Sequence, residues 1–233
     1  MIKTYPYKDL GTADYGWLNA HYHFSFAHYH NPSRIHFGKL RVINDDRIAP
    51  NTGFDTHPHQ DMEIITFVRS GAITHKDSEG HEGRTAAGDV QVMSAGTGIF
   101  HSEANKEDTE TTLYQIWIFP REKGVTPRWD AARFADRKAN DTLPLLVSGR
   151  AEDNGKNALY IHQDARILGG QMDKGHKLTQ EILEQGYLLV SKGEITLDGQ
   201  KLEKGDGAEI TNQGSVEIEA LSEAEIILID VPK

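Results

Sequence analysis

Residues 53–63 read Gly-Phe-Asp-Thr-His-Pro-His-Gln-Asp-Met-Glu, and the two histidines in this stretch constrain the fold more than any other feature of the chain. Side chains two positions apart on an extended strand point to the same face of a sheet. His57 and His59 can therefore present two imidazoles to one point in space. Because two such ligands do not complete a metal site, the stretch predicts a β-structure in which another ligand-bearing strand lies alongside.

A second stretch, residues 93–103, supplies a matching pair of side chains. It reads Met-Ser-Ala-Gly-Thr-Gly-Ile-Phe-His-Ser-Glu, so that His101 and Glu103 are again two apart after a glycine-rich turn. On neighbouring strands, the two pairs would form a site of three histidines and one carboxylate inside a barrel. Iron, manganese, cobalt, nickel, copper and zinc all accept this mixture of nitrogen and oxygen ligands.

A denser group of histidines lies upstream and offers an alternative metal site: His21, His23, His28, His30 and His36. These histidines alternate with aromatic residues, and no carboxylate follows before Asp45. The pattern favours packing or hydrogen bonding over a primary metal site, with adventitious affinity for nickel where the imidazoles are exposed.

The chain contains an internal repeat of strand, turn and strand. Residues 68–74 resemble residues 190–196, and each copy is followed by a Gly-Asp pair, at 88–89 and at 205–206. Short β-branched runs separated by glycine, asparagine and aspartate recur throughout, a pattern that is typical of sandwiches and barrels. We therefore predict two similar β-barrels, formed by residues 1–135 and 136–233, and one short helix that begins near Thr126 and runs to Arg137.

The repeat also predicts that only the first barrel binds a metal. If Gly71 corresponds to Gly193, the same spacing places Thr179 and Glu181 at the positions of His57 and His59. The second site is therefore expected to be degenerate.

Composition narrows the class of protein. The chain has 233 residues, of which 37% are hydrophobic and 26% charged, as expected for one or two globular domains. The absence of cysteine excludes disulfides, iron–sulfur clusters and thiolate catalysis. A net charge of −10 argues against binding to nucleic acid or to an anionic membrane. Because the chain has no apolar run long enough to span a membrane and no signal-peptide pattern, a cytoplasmic protein is expected. We also expect a monomer.

The motifs resemble those of the cupin superfamily. The first cupin motif corresponds to Gly53, His57, His59, Glu63 and Gly71, and the second to Gly88, Gly96, His101 and Asn105. The spacing between the first glycine and histidine is short, Ser94 replaces the usual proline, and His101 comes two residues late. These departures are similar to those of pirins. The likeness to bacterial pirins, closest to the quercetin 2,3-dioxygenase group, covers nearly the whole chain and includes residues 23–27, 41–46, 56–59, 93–99 and 114–118.

The resemblance implies an all-β bicupin, with two antiparallel β-barrels face to face and short helical connections. It implies one divalent transition metal per chain, bound in the N-terminal barrel by His57, His59, His101 and Glu103. Iron(II) is the first expectation, and manganese, cobalt, nickel, copper and zinc remain open.

The activity implied by the resemblance is cleavage of the flavonol quercetin by O₂ with release of carbon monoxide. Glu103 would accept the flavonol proton, and the substrate would occupy an apolar cavity. Phe54, Met93 and Phe100 are candidates for the lining of that cavity, although each could equally belong to the core. The alternative implied by the same family is a metal-dependent regulatory protein that acts through protein partners and has no physiological flavonol substrate.

Two carboxylates compete for the metal. The general cupin pattern points to Glu63 and the pirin pattern to Glu103. Glu63 lies four residues from His59, which is about 13 Å along a strand, whereas Glu103 lies two residues from His101. We therefore expect Glu103 to be the ligand, and Glu63 to orient a ligand imidazole by a hydrogen bond.

Overall fold

The computed structural model describes residues 1–134 and 137–233, and these residues are almost entirely β-strands and connecting loops. The first twelve strands are β1 (Ile2–Tyr5), β2 (Gly11–Asp14), β3 (Leu18–Tyr22), β4 (Leu40–Ile48), β5 (Thr52–His59), β6 (Glu63–Ser70), β7 (Ala72–Asp77), β8 (Glu82–Ala86), β9 (Val90–Ser94), β10 (Ile99–Asn105), β11 (Thr111–Ile118) and β12 (Arg128–Ala132). The remaining strands are β13 (Leu145–Ser148), β14 (Leu159–Tyr160), β15 (Arg166–Met172), β16 (Lys177–Glu181), β17 (Gln185–Lys192), β18 (Glu194–Leu197), β19 (Gln200–Glu203), β20 (Gly207–Ile210), β21 (Ser215–Ala220) and β22 (Ala224–Val231). Two single-turn 3₁₀ helices are described, Tyr7–Asp9 and Ala151–Asp153. The all-β fold predicted from the short β-branched runs is confirmed.

The chain divides into two compact units. The first, which we call the N-terminal barrel, comprises residues 11–134 and Leu159–Gln163. The second, the C-terminal barrel, comprises Met1–Leu10, residues 137–158 and Asp164–Lys233. The boundary expected between residues 135 and 136 falls on two residues outside the described ranges. The first residues of the chain belong to the C-terminal barrel because β1 pairs with β20, with Ile2 opposite Ile210.

The N-terminal barrel is built from two antiparallel sheets. One has the strand order β12-β9-β6-β11-β4-β3-β2, and the other has the order β5-β10-β7-β8. Apolar side chains of both sheets form two buried clusters: Leu18, Ala20, Tyr22, Ile48, Val68, Ile73 and Leu113, and Ile64, Met93, Ala95 and Ile99. On β6, the buried Thr66 lies between Ile64 of one cluster and Val68 of the other.

The C-terminal barrel repeats this topology. Its larger sheet contains the order β1-β20-β17-β22-β15-β13, and its smaller sheet has the order β16-β21-β18-β19. Gly71 joins β6 to β7 with φ +71°, and Gly193 joins β17 to β18 with φ +78°. Such positive φ values favour glycine, so the same local requirement recurs at both turns. The internal repeat predicted from the sequence is confirmed.

The interior of the C-terminal barrel is filled with apolar side chains. Thr179 and Glu181 lie on β16, which occupies the same place in its sheet as β5 does, and both residues are exposed. Leu178 and Ile182 point into a core of leucine, isoleucine and valine instead. Among the described residues, no cluster of metal-ligating side chains lies in this unit.

The helix predicted from Thr126 to Arg137 is wrong, apart from residues 135 and 136, which lie outside the described residues. β12 occupies Arg128–Ala132 and pairs with β9, with Trp129 opposite Met93. The capping signals around Thr126 are local, whereas the free edge of β9 offers a full row of backbone hydrogen bonds. The described part of the chain contains no helix long and apolar enough to span a lipid bilayer.

Candidate metal centre

Three histidines converge where β5 and β10 pair. His101 lies directly opposite His57, and His59 lies opposite Ile99. The ring centroids are 4.9 Å apart for His57 and His59, 4.5 Å for His57 and His101, and 5.0 Å for His59 and His101. One ligand atom from each ring lies within 4.8 Å of the others. Two nitrogens at about 2.1 Å from one ion can be at most about 4.2 Å apart, so small rotations of the rings bring all three onto an ion.

The protonation of these rings fits metal binding. Burial, together with a smaller effect of the neighbouring histidines, lowers the pKa of His101 to about 3 and that of His59 to about 4. Both imidazoles are therefore neutral at physiological pH, as a ligand must be. His101 Nε2 is buried without a hydrogen-bond partner among the described residues. His57 Nδ1 donates to the carbonyl of Asp55 at 2.6 Å, which leaves Nε2 of His57 free for a metal. The three histidines can hold a divalent transition metal.

Proline is accommodated between two ligands because β5 is an edge strand. Pro58 separates His57 from His59 and has no N–H to donate to a ladder. β5 pairs only with β10 in its sheet. Because one side of the strand has no neighbouring strand, the missing N–H of Pro58 costs few backbone hydrogen bonds.

Glu103 is buried beside the histidines, held by amides from the opposite sheet. Its Oε1 accepts hydrogen bonds from Gln91 Nε2 at 2.7 Å and from Thr66 Oγ1 at 3.2 Å, and its Oε2 accepts one from Gln115 Nε2 at 2.8 Å. The carboxylate is not part of the three-histidine group, although it lines the same cavity. Neutral donors thus fix it in the wall of the site.

The residues that hold Glu103 were not identified from the sequence. Thr66, Gln91 and Gln115 occupy successive places in a row across β6, β9 and β11, since Gln115 lies opposite Thr66 and Thr66 opposite Gln91. A polar residue within a strongly apolar run was a signal for each, but the row becomes visible only once the strand order is known.

The hydrogen-bond partners of Glu63 do not include the three histidines. Its Oε2 accepts from Ser94 Oγ at 2.8 Å and from the backbone N–H of His162 at 3.1 Å. Burial raises the pKa of the Glu63 carboxyl, in spite of these two hydrogen bonds. Within residues 1–134 and 137–233, no histidine ring donates a hydrogen bond to Glu63, so the structure does not show the expected orientation of a ligand imidazole by this carboxylate.

A cavity of about 420 Å³ opens beside the histidines. Its aromatic walls are formed by Trp17, Tyr22, Phe26, Phe54 and Trp117, and its polar side by Asn44, Asp46, Gln115 and Glu103. Of the three residues expected to line it, Phe54 lies in the wall. Met93 packs in a buried cluster with Ile64 and Ile99, and the side chain of Phe100 is 54% exposed on the outer face of β10. Trp17, Phe26 and Trp117 were missed because they come from distant parts of the chain.

A bulge in β5 directs Phe54 into this cavity. Between the pairs His101–His57 and Glu103–Phe54, β10 advances two residues while β5 advances three. The extra residue reverses the alternation of side chains, so Phe54 shares a face with His57 although they are an odd number of positions apart. The Phe54 ring packs edge-on against Trp17, with centroids 5.1 Å apart.

The upstream histidines do not form a ligand cluster among the described residues. His23 is buried, and burial lowers its pKa to about 3. His28, His30 and His36 are exposed, while His21 is half-buried on β3. This arrangement agrees with the packing interpretation of the segment.

Comparisons with known proteins show which family the chain belongs to. The pirin family model matches residues 4–118, and the model of the quercetinase C-terminal cupin domain matches residues 145–231. A pirin-like protein of Caulobacter vibrioides is 47% identical over 99% of both chains. Quercetin 2,3-dioxygenase of Escherichia coli is 41% identical, over 100% of this chain and 99% of that protein. The crystal structure of the Escherichia coli pirin YhhW in complex with nickel(II) superposes with a TM-score of 0.92 at 40% identity, over 100% of this chain and 99% of that chain. With relatives at 41–47% identity over nearly its whole length and the pirin model matched by about half of it, the chain belongs to the pirin family, as its motifs indicated.

Proposed function

We propose that the protein is a metal-dependent dioxygenase that cleaves the flavonol quercetin with O₂ and releases carbon monoxide. The observation that carries the proposal is the position of the three histidines at the wall of a 420 Å³ cavity lined by aromatic rings. A cavity of this size and composition suits a planar aromatic ligand. The name of the Escherichia coli relative supports the same substrate class.

We assign the metal to His57, His59 and His101, with one ion per chain in the N-terminal barrel and Glu103 as a further ligand. A bound divalent metal would supply a Lewis acid that favours the anion of the flavonol 3-hydroxyl. Iron(II) is the proposed metal, because this ligand type suits iron and the proposed reaction consumes O₂. Nickel(II) is the ion in the related Escherichia coli structure.

Glu103 is the proposed proton acceptor. A general base must lie within hydrogen-bond reach of the proton that it removes, and Glu103 is a carboxylate that lines the cavity beside the histidines. Its three donors, Thr66, Gln91 and Gln115, are all neutral. They orient the carboxylate without neutralising its charge, so it remains able to take a proton from the substrate hydroxyl.

The test is turnover with defined metals. Protein purified without a nickel column and stripped by chelator should recover quercetin-dependent O₂ consumption and carbon monoxide release when iron(II) is added, and His57→Ala should recover neither. If the fully loaded protein binds quercetin but consumes no O₂, the proposal fails and the regulatory alternative replaces it.

A further inference from the structure

A second pair of polar side chains lies behind the metal centre, on β7, and has no role in the proposed reaction. His75 lies opposite Glu103, and Asp77 lies opposite His101. His75 Nδ1 lies 3.4 Å from His101 Nδ1, and His75 Nε2 lies 2.9 Å from Asp77 Oδ2. His75 is fully buried, and the Asp77 side chain is enclosed. A continuous row of hydrogen bonds therefore runs from Asp77 through His75 to His101.

The orientation of the Asp77 carboxylate is fixed by the chain around it. Oδ1 accepts hydrogen bonds from the backbone N–H groups of Glu79 and His81, each at 3.0 Å. Oδ2 faces His75 Nε2, and His81 Nδ1 also lies 3.0 Å from it. A carboxylate can only accept hydrogen bonds, so the nitrogen of His75 that faces it must carry a proton.

The proton on His75 Nε2 determines whether each of the next two ring nitrogens, His75 Nδ1 and His101 Nδ1, accepts or donates. With Nε2 of His75 protonated and the ring neutral, Nδ1 of His75 is an acceptor. Nδ1 of His101, which faces it, must then be the donor. A neutral His101 with its proton on Nδ1 has a lone pair on Nε2, which is the atom left without a partner among the described residues.

An indole holds His75 in place. The Trp129 ring lies parallel to the His75 ring, with an interplanar angle of 8° and centroids 5.1 Å apart. Gly83 makes this stacking possible, because a Cβ at that position would overlap the Trp129 ring. The His75 ring is therefore restrained in the plane that its two hydrogen bonds require.

We propose that Asp77 and His75 are positioning residues that fix the tautomer of His101, so that its Nε2 lone pair is always directed at the metal. Carboxylates that bond directly to a ligand histidine have this effect in other metal sites; here the effect is transmitted through a second histidine. The inference rests on the proposed role of His101 as a ligand.

Asp77→Asn is the most direct perturbation. In this variant, the backbone N–H groups of Glu79 and His81 donate to the amide oxygen of the new asparagine. Its N–H₂ group then faces His75. His75 Nε2 then becomes an acceptor and its Nδ1 a donor. Two donors would face each other between His75 and His101, so His101 is expected to move its proton to Nε2 and lose its lone pair there.

Two measurements test this, and neither depends on activity. In metal-free, ¹⁵N-histidine-labelled protein at about pH 8, where histidines are neutral, ring-nitrogen shifts should show His101 protonated on Nδ1 in the wild type and on Nε2 in Asp77→Asn. Zinc(II) affinity, measured by competition with a chromophoric chelator, should fall about 10- to 100-fold in the variant.

Two further variants keep the test decisive. His81→Ala leaves the Asp77–His75 contact intact and should retain both the tautomer and the zinc affinity within about threefold. His75→Phe keeps a ring against Trp129 but cannot accept from His101, so it should weaken zinc binding as Asp77→Asn does, even if the latter variant folds poorly. An Nε2-protonated His101 in the wild type, or unchanged zinc affinity in both Asp77→Asn and His75→Phe, would overturn the inference. Failure of the wild type to bind zinc, with His101 protonated on Nδ1, would instead reject the metal site and leave the tautomer assignment standing.

Discussion

Glu103→Gln should abolish turnover while leaving the barrel intact. Gln115 Nε2 donates to Glu103 Oε2, and Gln115 Oε1 is buried without a partner among the described residues. A glutamine at position 103 can keep its oxygen toward Gln91 and Thr66 and place its N–H₂ toward Gln115. The Gln115 amide then only has to turn over to accept this new donor, so all three hydrogen bonds persist.

The stability changes can be worked out from these contacts. A hydrogen bond to a neutral acceptor is about 1 kcal/mol weaker than one to a charged acceptor, or about 3 kcal/mol for three bonds. Glutamine also avoids the cost of burying a charge, which is several kcal/mol. The net change for Glu103→Gln should stay within about 2 kcal/mol. Glu103→Ala instead removes the acceptor of Gln115 Nε2 and leaves Gln91 Nε2 with only a longer hydrogen bond to Thr66 Oγ1 at 3.4 Å. At about 1–3 kcal/mol for each lost or weakened acceptor, this variant should cost about 2–6 kcal/mol.

Turnover should respond differently from stability. Loss of a general base lowers the rate by about 10²–10⁴-fold, so both variants should be nearly inactive with quercetin. Both should also lose metal affinity if the carboxylate is a ligand. Glu63→Gln is the matched control, since its carboxylate bonds to Ser94 and to the His162 backbone, and it should keep most of its metal.

Three assays are required: urea denaturation of the metal-free proteins, elemental analysis after loading and dialysis, and quercetin turnover. Turnover by Glu103→Gln within tenfold of the wild type would refute the role of Glu103 as the proton acceptor. Destabilisation equal to that of Glu103→Ala would refute the rearrangement of Gln115. Loss of metal from Glu63→Gln but not from Glu103→Gln would show that the general cupin ligand set applies here.

Further predictions concern the metal, the charge and the core. His57→Ala/His59→Ala should bind almost no metal while the fold survives; near-full occupancy by elemental analysis would exclude this site. Burial raises the pKa of the Asp46 carboxyl from 3.8 to about 8, so the wild type loses stability as the pH rises through this interval, at about 1.4 kcal/mol per unit. Asp46→Asn removes this dependence, and its free energy of unfolding relative to the wild type should increase by about 4 kcal/mol between pH 5 and pH 9; parallel urea-unfolding profiles would contradict the assignment. Met93→Ala should cost about 2–5 kcal/mol because the side chain is buried, whereas Phe100→Ala on the exposed face should change stability by under about 1 kcal/mol; thermal melts that rank the two in the opposite order would refute this.

The parts of the site that depend on strand geometry alone could be predicted from the sequence. His57, His59 and His101 obey the two-residue period of a strand, and the glycines at 71 and 193 mark the same turn in both barrels. The same period also argues against Phe100, since a residue next to His101 on a strand must face the other way. The strand period alone therefore places Phe100 on the face opposite to His101, where it is exposed.

Other features depend on which strands are neighbours, and this is not encoded locally. Trp129 follows a good helix start but lies on a strand, because the edge of β9 offers backbone partners. His75 gives no local sign that it will meet His101, since its role arises only from the pairing of β7 with β10. Gln91 and Gln115 likewise give no local sign of their role. They reach Glu103 only because β9, β6 and β11 are neighbours in one sheet and β10 lies in the other.

The bulge in β5 divides that strand into two stretches whose facing is set separately. On one side of the bulge, His57 and His59 lie opposite His101 and Ile99 of β10. On the other side, Phe54 lies opposite Glu103. Deleting one residue between Phe54 and His57 would remove the bulge and leave these two residues two positions apart, so Phe54 would stay on the same face as the imidazoles. The three-residue spacing and the bulge therefore compensate for each other, and the aromatic wall at Phe54 would persist if both were lost together; regularising the strand without a deletion is the change that would turn Phe54 away from the cavity.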